Sequence, residues 1–184
     1  MDTHRTNTIA PSIRVRDIQQ SIGFYTRTLG FMTLEKHLCK NGDIVVATVG
    51  LDSPMLMLLP FRTIRTHERK EEFQKNKPGI GVRFRFGMTG TRTLDEYFAE
   101  VKRKGAEIVE EPKTEFWGDR MFTILDPDGY TLTFSEHIQD VSAAAWVNAY
   151  EREHQKPARI AHKRSIPLPE TNPSISISQE IKNE

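Results

Sequence analysis

The stretch Val15-Arg16-Asp17-Ile18-Gln19-Gln20-Ser21-Ile22-Gly23-Phe24-Tyr25, running on to Leu29-Gly30-Phe31, decides how the first half of the chain is read. Upstream of it, Ile9, Pro11, Ile13 and Val15 alternate with Ala10, Ser12, Arg14 and Arg16. A period of two is that of a strand with one buried face. Asp17 then stands where a helix N-cap belongs, because its carboxylate can accept the first free backbone N–H groups. Ile18, Ile22, Tyr25 and Leu29 recur at i, i+4, i+7 and i+11, one stripe of an amphipathic helix. Gly30 follows as the glycine that ends it. Phe31–Leu38 reads as a strand and Asn41-Gly42-Asp43 as a turn. Ile44–Val49 and Met55–Leu59 read as two more strands, joined through Asp52-Ser53-Pro54. The unit is βαβββ.

The pattern then starts again. Val82, Phe84 and Phe86 alternate with Gly81, Arg83 and Arg85. Thr93-Leu94-Asp95-Glu96 fits a capping box, with Glu96 three residues after the Thr93 cap. Leu94, Phe98 and Val101 repeat the helical stripe and Gly105 ends it. Glu107–Glu111 reads as a short strand that stops before Pro112. Arg120–Leu125 and Tyr130–Ser135 read as strands joined by the turn Asp126-Pro127-Asp128-Gly129. The second βαβββ unit is displaced from the first by roughly 70 to 75 residues, the mark of an internal duplication. The expected layout is a frayed 1–7, a first module over 8–61, a charged linker over 62–78 with one exposed helical stretch, and a second module over 79–138. A helix follows within 139–155, over Val141–Arg152, with Ala144, Trp146, Val147 and Tyr150 on its apolar side. Pro157, Pro167, Pro169 and Pro173 lie among Ser, Lys and Glu in 156–184, which reads as a disordered tail.

Composition narrows the function classes. The 184 residues carry 26 Lys and Arg against 25 Asp and Glu, a net charge of +1. A dedicated nucleic-acid binder carries a clear basic excess, so no nucleic-acid partner is expected. No apolar run approaches the roughly 20 residues that span a bilayer, and Met-Asp-Thr-His-Arg at the N-terminus lacks the apolar core of a signal peptide. The single cysteine, Cys39, cannot form an internal disulfide or a cysteine-based zinc site. It reads as inert, and the expected compartment is the cytoplasm. No membrane partner is expected. There is no glycine-rich phosphate loop and no nucleophile elbow.

The stretch from Val15 to Phe31, with Phe116-Trp117-Gly118-Asp119-Arg120 and Asp126-Pro127-Asp128-Gly129 at this separation, resembles the vicinal oxygen chelate superfamily, in its glyoxalase/bleomycin-resistance branch. That superfamily includes glyoxalase I, extradiol dioxygenases and the bleomycin and fosfomycin resistance proteins. The resemblance covers about residues 8–138. It implies an α+β fold of two tandem βαβββ modules, whose mixed sheet curls into a cup around one site. It also implies a homodimer.

Enzymes of the superfamily hold a divalent metal through His, Glu or Gln side chains, and such an ion needs three or four ligands converging at about 2 Å. Carried over residue by residue, the first ligand position is Ala10 and its counterpart in the second module is Gly81. The last is Thr133, four residues after the glycine of Asp-Pro-Asp-Gly. The remaining one falls in Met55-Leu56-Met57-Leu58-Leu59, which offers no such side chain in any register. A slip of one residue rescues none of them. The six histidines, His4, His37, His67, His137, His154 and His162, form no pair at helical ligand spacing. The expectation is therefore no metal and no cofactor.

The inward parity of the first strand gives Ala10, Ser12, Arg14 and Arg16, and that of the fifth gives Gly81, Arg83 and Arg85, with the small Ala10 and Gly81 leaving space at the deep end. Guanidinium forks suit a carboxylate or phosphate; equally, arginines at a solvated rim pair with nearby Asp or Glu. Trp117 could stack on a flat ligand at the mouth of the cup or cap the core beneath the hairpin. Met55, Met57 and Met121 could line a pocket or simply fill core. Tyr25 and Phe24 read as core packing, and Asp126 and Asp128 as turn residues. The expected ligand-binding set is Ser12, Arg14, Arg83, Arg85, Trp117 and Thr133. The expected function is metal-free binding of a small organic, anionic molecule. The alternatives are a metal-dependent glyoxalase, lyase or dioxygenase with atypical ligands, and sequestration of a bleomycin-type drug, whose positive charge the arginines oppose.

Overall fold

A computed structural model describes residues 11–51, 54–63, 75, 79 and 81–154. The expectations for 1–7, for Ala10, for Asp52-Ser53, for nearly all of the linker and for the tail 156–184 lie outside the described residues. The first module contains β1 (Ser12–Val15), α1 (Ile18–Gly23), a π-helical turn (Phe24–Thr28), β2 (Met32–Leu38), β3 (Ile44–Gly50), β4 (Pro54–Pro60) and a short 3₁₀ turn (Phe61–Thr63). The second contains β5 (Arg83–Gly87), α2 (Leu94–Arg103), β6 (Glu107–Thr114), β7 (Asp119–Leu125) and β8 (Thr131–His137), and α3 (Ala143–His154) follows it.

Each module forms one four-stranded sheet, in the order β1-β4-β3-β2 and β5-β8-β7-β6. The opening strand lies parallel to the closing one, Ser12 beside Met57 and Arg83 beside Thr131, and the other pairs are antiparallel. The fold is α+β, built from two copies of one mixed-sheet module.

The caps act as their chemistry requires. Asp17 accepts from the N–H groups of Gln19 and Gln20 at 2.9 and 3.0 Å. Thr93 and Glu96 complete the reciprocal capping box of α2. Two local features differ from the sequence reading. The first helix is not α-helical throughout: the Leu29 N–H bonds the carbonyl of Phe24, five residues back, at 3.2 Å, and this π turn still leaves Tyr25 and Leu29 buried. Strand β6 does not stop at Pro112 but runs through it to Thr114. It is an edge strand, where a missing N–H is tolerated, and its pairing with β7 is irregular between Glu110 and Lys113.

Both modules share one apolar core. Ile13, Val15, Tyr25, Leu29 and Phe31 of the first meet Phe86, Tyr97, Phe122 and Phe134 of the second. Phe122 and Phe86 stack on the two sides of Phe134, each with 5.2 Å between ring centroids, and Phe31 meets Phe86 edge-on at 5.5 Å.

Polar bonds cross the same junction. The Tyr97 hydroxyl donates to the Leu29 carbonyl at 2.8 Å, and the Tyr25 hydroxyl donates to Asp126 at 3.0 Å. Asp126 also accepts from the N–H groups of Asp128 and Tyr130. Asp128 accepts from the Arg16 N–H at 3.0 Å and pairs with the Arg16 guanidinium. The turn read as local geometry is therefore also a polar clasp between modules, and Tyr25 is more than packing.

Candidate functional site

Ile13, Val15, Phe86, Leu132 and Phe134 enter the core beneath the helices. Strand alternation turns their neighbours to the opposite, inner face of each sheet. On the first sheet that face carries Ser12 and Arg14, beside Met57 and Leu59. On the second it carries Arg83 and Arg85, beside Thr131 and Thr133.

The expected site residues differ sharply in what they can still do. The Ser12 hydroxyl is 3.7 Å from the Met57 sulfur. Arg14 is held through its backbone, whose N–H and carbonyl both bond the Tyr130 hydroxyl, at 3.2 and 3.1 Å. Arg83 is exposed and makes no ion pair or hydrogen bond with its side chain among the described residues. Arg85 donates from Nε to the Ser135 hydroxyl at 3.0 Å and forms an ion pair with Asp119. Thr133 is only 1% exposed. Its hydroxyl lies 3.1 Å from that of Thr123, which donates to Glu110 at 2.7 Å. Since the Thr123 O–H is directed at Glu110, the Thr133 hydroxyl is the donor to Thr123 and is engaged within the sheet.

Beyond Arg85 the charges continue in a chain. Asp119 lies 3.0 Å from His137 Nδ1, and His137 Nε2 lies 3.1 Å from Asp140. Partial burial works against ionising Asp119, but the hydrogen bonds from His137 and Arg85 outweigh it and hold the carboxyl below its ordinary range. The bond to Asp119, then that to Asp140, raises His137 above the ordinary 6.5. A group whose folded pKa is raised supports the fold below its unfolded value and loses that support as pH rises through the folded value. An NMR titration should therefore find the His137 midpoint above 6.5, falling back in Asp119→Asn. A midpoint unmoved by that substitution would rule out Asp119 as the cause.

Among the described residues, Glu110 on Thr123 is the carboxylate nearest Thr133, and no group of three or more His, Cys, Asp or Glu forms a cluster of metal donors. At the positions where relatives ligate, Gly81 has no side chain, Thr133 is engaged with Thr123, and β4 presents Met57 and Leu59 beside β1. Ala10 lies outside the described residues. Thioether and hydroxyl do not suit an ion that takes imidazole and carboxylate.

Arg85 meets Trp117 elsewhere, in a recess of about 580 Å³ between the tip of the β6–β7 hairpin and α3. Phe116 and Trp117 form one wall, edge to face at 4.9 Å. Trp146 and Tyr150 of α3 form the other, stacked 5.2 Å apart and 7° from parallel, with His154 stacked on Tyr150 at 3.9 Å. Phe116 bridges the walls, 5.4 Å from Trp146. The Trp117 indole N–H is buried and has no hydrogen-bond partner among the described residues.

Backbone geometry puts α3 there. Gly118 sits in the hairpin turn at φ +94°, and its carbonyl accepts from Ile138 and Gln139 at 2.9 and 3.2 Å. A Cβ at Gly118 would lie 1.9 Å from the Gln139 carbonyl oxygen. The chain leaving β8 thus crosses the hairpin tip in contact with its backbone and carries α3 over it. The sequence reading placed Trp146 and Tyr150 on an apolar helix side but did not join them to Trp117. The aromatic spacing 146, 150, 154, at i, i+4 and i+8, was the available signal.

Comparison with known proteins gives the architecture its family. The sequence model of the Glyoxalase/Bleomycin resistance protein/Dioxygenase superfamily matches residues 5–134. The chain belongs to this superfamily. TioX from Micromonospora sp. ML1 is similar in structure, 18% identical over 72% of this chain and 100% of TioX, with a TM-score of 0.55. TnmS3, an antibiotic binding protein from Streptomyces sp. CB03234, is 20% identical over 73% of this chain and 99% of its own, with a TM-score of 0.50. A glyoxalase/bleomycin resistance protein/dioxygenase from Nocardioides is 15% identical over 77% and 91%, at 0.57. Identities this low show a shared fold. Comparison with curated proteins gives no match. Helix α3 lies beyond the superfamily match, so the recess joins a superfamily hairpin to an element added after it.

Proposed function

We propose that the chain is a metal-independent binder of a small organic molecule, held on the inner faces of its two sheets, with the homodimer as its expected form. The observation that carries this reading is the side-chain chemistry where relatives ligate a metal: glycine, an engaged threonine, and a strand of Met and Leu. What those faces offer instead is a thioether-lined surface at Met57, the Ser12 hydroxyl and guanidinium groups along the rim. Arg83 is the rim arginine best able to meet a carboxylate or phosphate. The charge of Arg85 is already met by Asp119, which makes it a neutral hydrogen-bonding wall rather than a second anion site. The fold serves binding elsewhere, as in the antibiotic binding protein TnmS3.

Two measurements test it. Protein purified without chelator should carry only traces of metal and gain none tightly from Ni²⁺, Zn²⁺, Mn²⁺ or Fe²⁺. A stoichiometric ion removable only by chelation would sink the reading and favour a glyoxalase- or dioxygenase-type enzyme. In a thermal-shift screen of aromatic and aliphatic carboxylates, Arg83→Ala should weaken any hit by about tenfold, the order of one charge-assisted contact, while Arg85→Ala weakens it less. Equal losses would mean that Asp119 does not neutralise Arg85.

A further inference from the structure

We propose that the recess between the β6–β7 hairpin and α3 is a binding site for a flat aromatic molecule of two or three fused rings that carries a hydrogen-bond acceptor such as a carbonyl. The proposal rests on the reading of the chain as a small-molecule binder and names where the ring system goes and what it is. Phe116 and Trp117 on the hairpin face Trp146 and Tyr150 on the helix. Trp146 and His154 cover the faces of Tyr150, so a planar guest meets the helix at ring edges, and such edge-to-face contact adds to the apolar area removed from water.

Size and charge narrow the guest further. About 580 Å³ falls within the range of small-molecule sites. Arg85 on the sheet side is balanced by Asp119, and Glu115 on the hairpin is balanced by Lys113 at 3.0 Å. Glu153 of α3, which also lines the recess, makes no ion pair among the described residues, so the recess disfavours an anion and accepts an uncharged guest. Its polar demand is instead the Trp117 N–H. A buried donor without a partner costs free energy until one arrives, and a small tilt of the indole toward a guest's carbonyl would supply one.

A bland reading exists: the same aromatic rings only hold α3 to the hairpin. The two readings separate experimentally. Trp117 and Trp146 are the chain's two tryptophans, and both line the recess, so intrinsic fluorescence reports on it directly. The full chain is titrated with acridone and flavone, and with decalone as a saturated ketone of similar bulk. The planar ketones should quench or shift the emission saturably and raise the melting temperature, and decalone should do neither. Tyr150→Ala keeps both reporters and alters a side chain already 43% exposed. It should weaken acridone binding by about tenfold, and Trp146→Phe, which keeps a ring, by much less.

Acridone that leaves the emission unchanged would overturn the proposal, as would binding indifferent to Tyr150→Ala. If acridone still raised the melting temperature in those cases, and lost that effect in a variant of the exposed inner-face residue Ser12 such as Ser12→Phe, the guest would sit on the sheet faces. The reading as a small-molecule binder would then survive without the recess. If no organic probe stabilised the chain while a metal bound it tightly, both readings would fail together.

Discussion

Phe122→Ala should lower the unfolding free energy by about 3–5 kcal/mol, the range for truncating a large ring in a packed core. Phe122 is fully buried. It stacks on Phe134 at 5.2 Å, and Tyr97 and Phe98 meet it at 5.9 and 5.2 Å. Phe134 passes the contact to Phe86, and Phe86 to Phe31 of the other module. The cavity would therefore open on the path that joins the two halves. Urea unfolding followed by far-UV circular dichroism measures the loss. A cost below about 1 kcal/mol would mean that the stack closes over the gap and is not what fixes the junction.

Asp126 gives the second large effect. It is buried, 3% exposed, and burial raises its carboxyl from the ordinary 3.8 to about 6, against hydrogen bonds from the Tyr130 N–H, the Tyr25 hydroxyl and the Asp128 N–H. The folded state therefore holds a proton in a window where the unfolded chain has released it. Stability from this group is complete below the unfolded pKa and is lost as pH rises through the folded one. The shift corresponds to about 3 kcal/mol.

Asp126→Asn removes the titration but keeps an acceptor for the two backbone N–H groups. Its side-chain NH₂ can meet the Tyr25 hydroxyl. The wild type should therefore gain about 2.4 kcal/mol relative to Asp126→Asn as pH falls from about 7 to 4, and the full value of about 3 kcal/mol only below the unfolded pKa of 3.8. Comparing the two proteins cancels the exposed carboxylates held low by their ion pairs, Asp43 and Glu111 among them, which act in the opposite direction. Parallel stability curves would show that Asp126 does not titrate as its burial requires.

The repeated βαβββ pattern was legible because it rests on local chemistry. Alternation sets the faces of β1 and β5, Asp17 and Thr93 cap the helices, and Asn41-Gly42-Asp43 makes its turn without help from distant residues. The π turn after Gly23 was not legible, since apolar residues recur at nearly the same spacing in α and π geometry. Pro112 argued for a strand end by its own chemistry, and only the position of β6 at the sheet edge removed that constraint.

At the candidate site the limit was pairing across distance. Parity could turn Arg83 and Arg85 toward one face. It could not show that Asp119, 34 residues from Arg85, would neutralise only one of them. Asp126 read as a turn residue because its two backbone bonds are local, while its bond to Tyr25 spans 101 residues. The recess required knowing that the Gly118 carbonyl anchors the chain beyond β8, a backbone bond that no side-chain pattern reports.

The parallel closure of each sheet has a consequence for how the chain acquires its structure. Neighbouring hairpins such as β2–β3 and β7–β8 can form as soon as their own residues are available. Strand β1, however, must wait for a partner 45 residues away, and β5 for one about equally distant, with Arg85 meeting Ser135 across 50 residues. Contacts of such separation carry the loop-closure entropy first and slow the search. During that interval Ile13 and Val15, or Phe84 and Phe86, have no sheet to cover them. The kinetic bottleneck of refolding should therefore be the return of each module's first strand to its last, and the intermediate most prone to aggregate is a three-stranded sheet still lacking that strand.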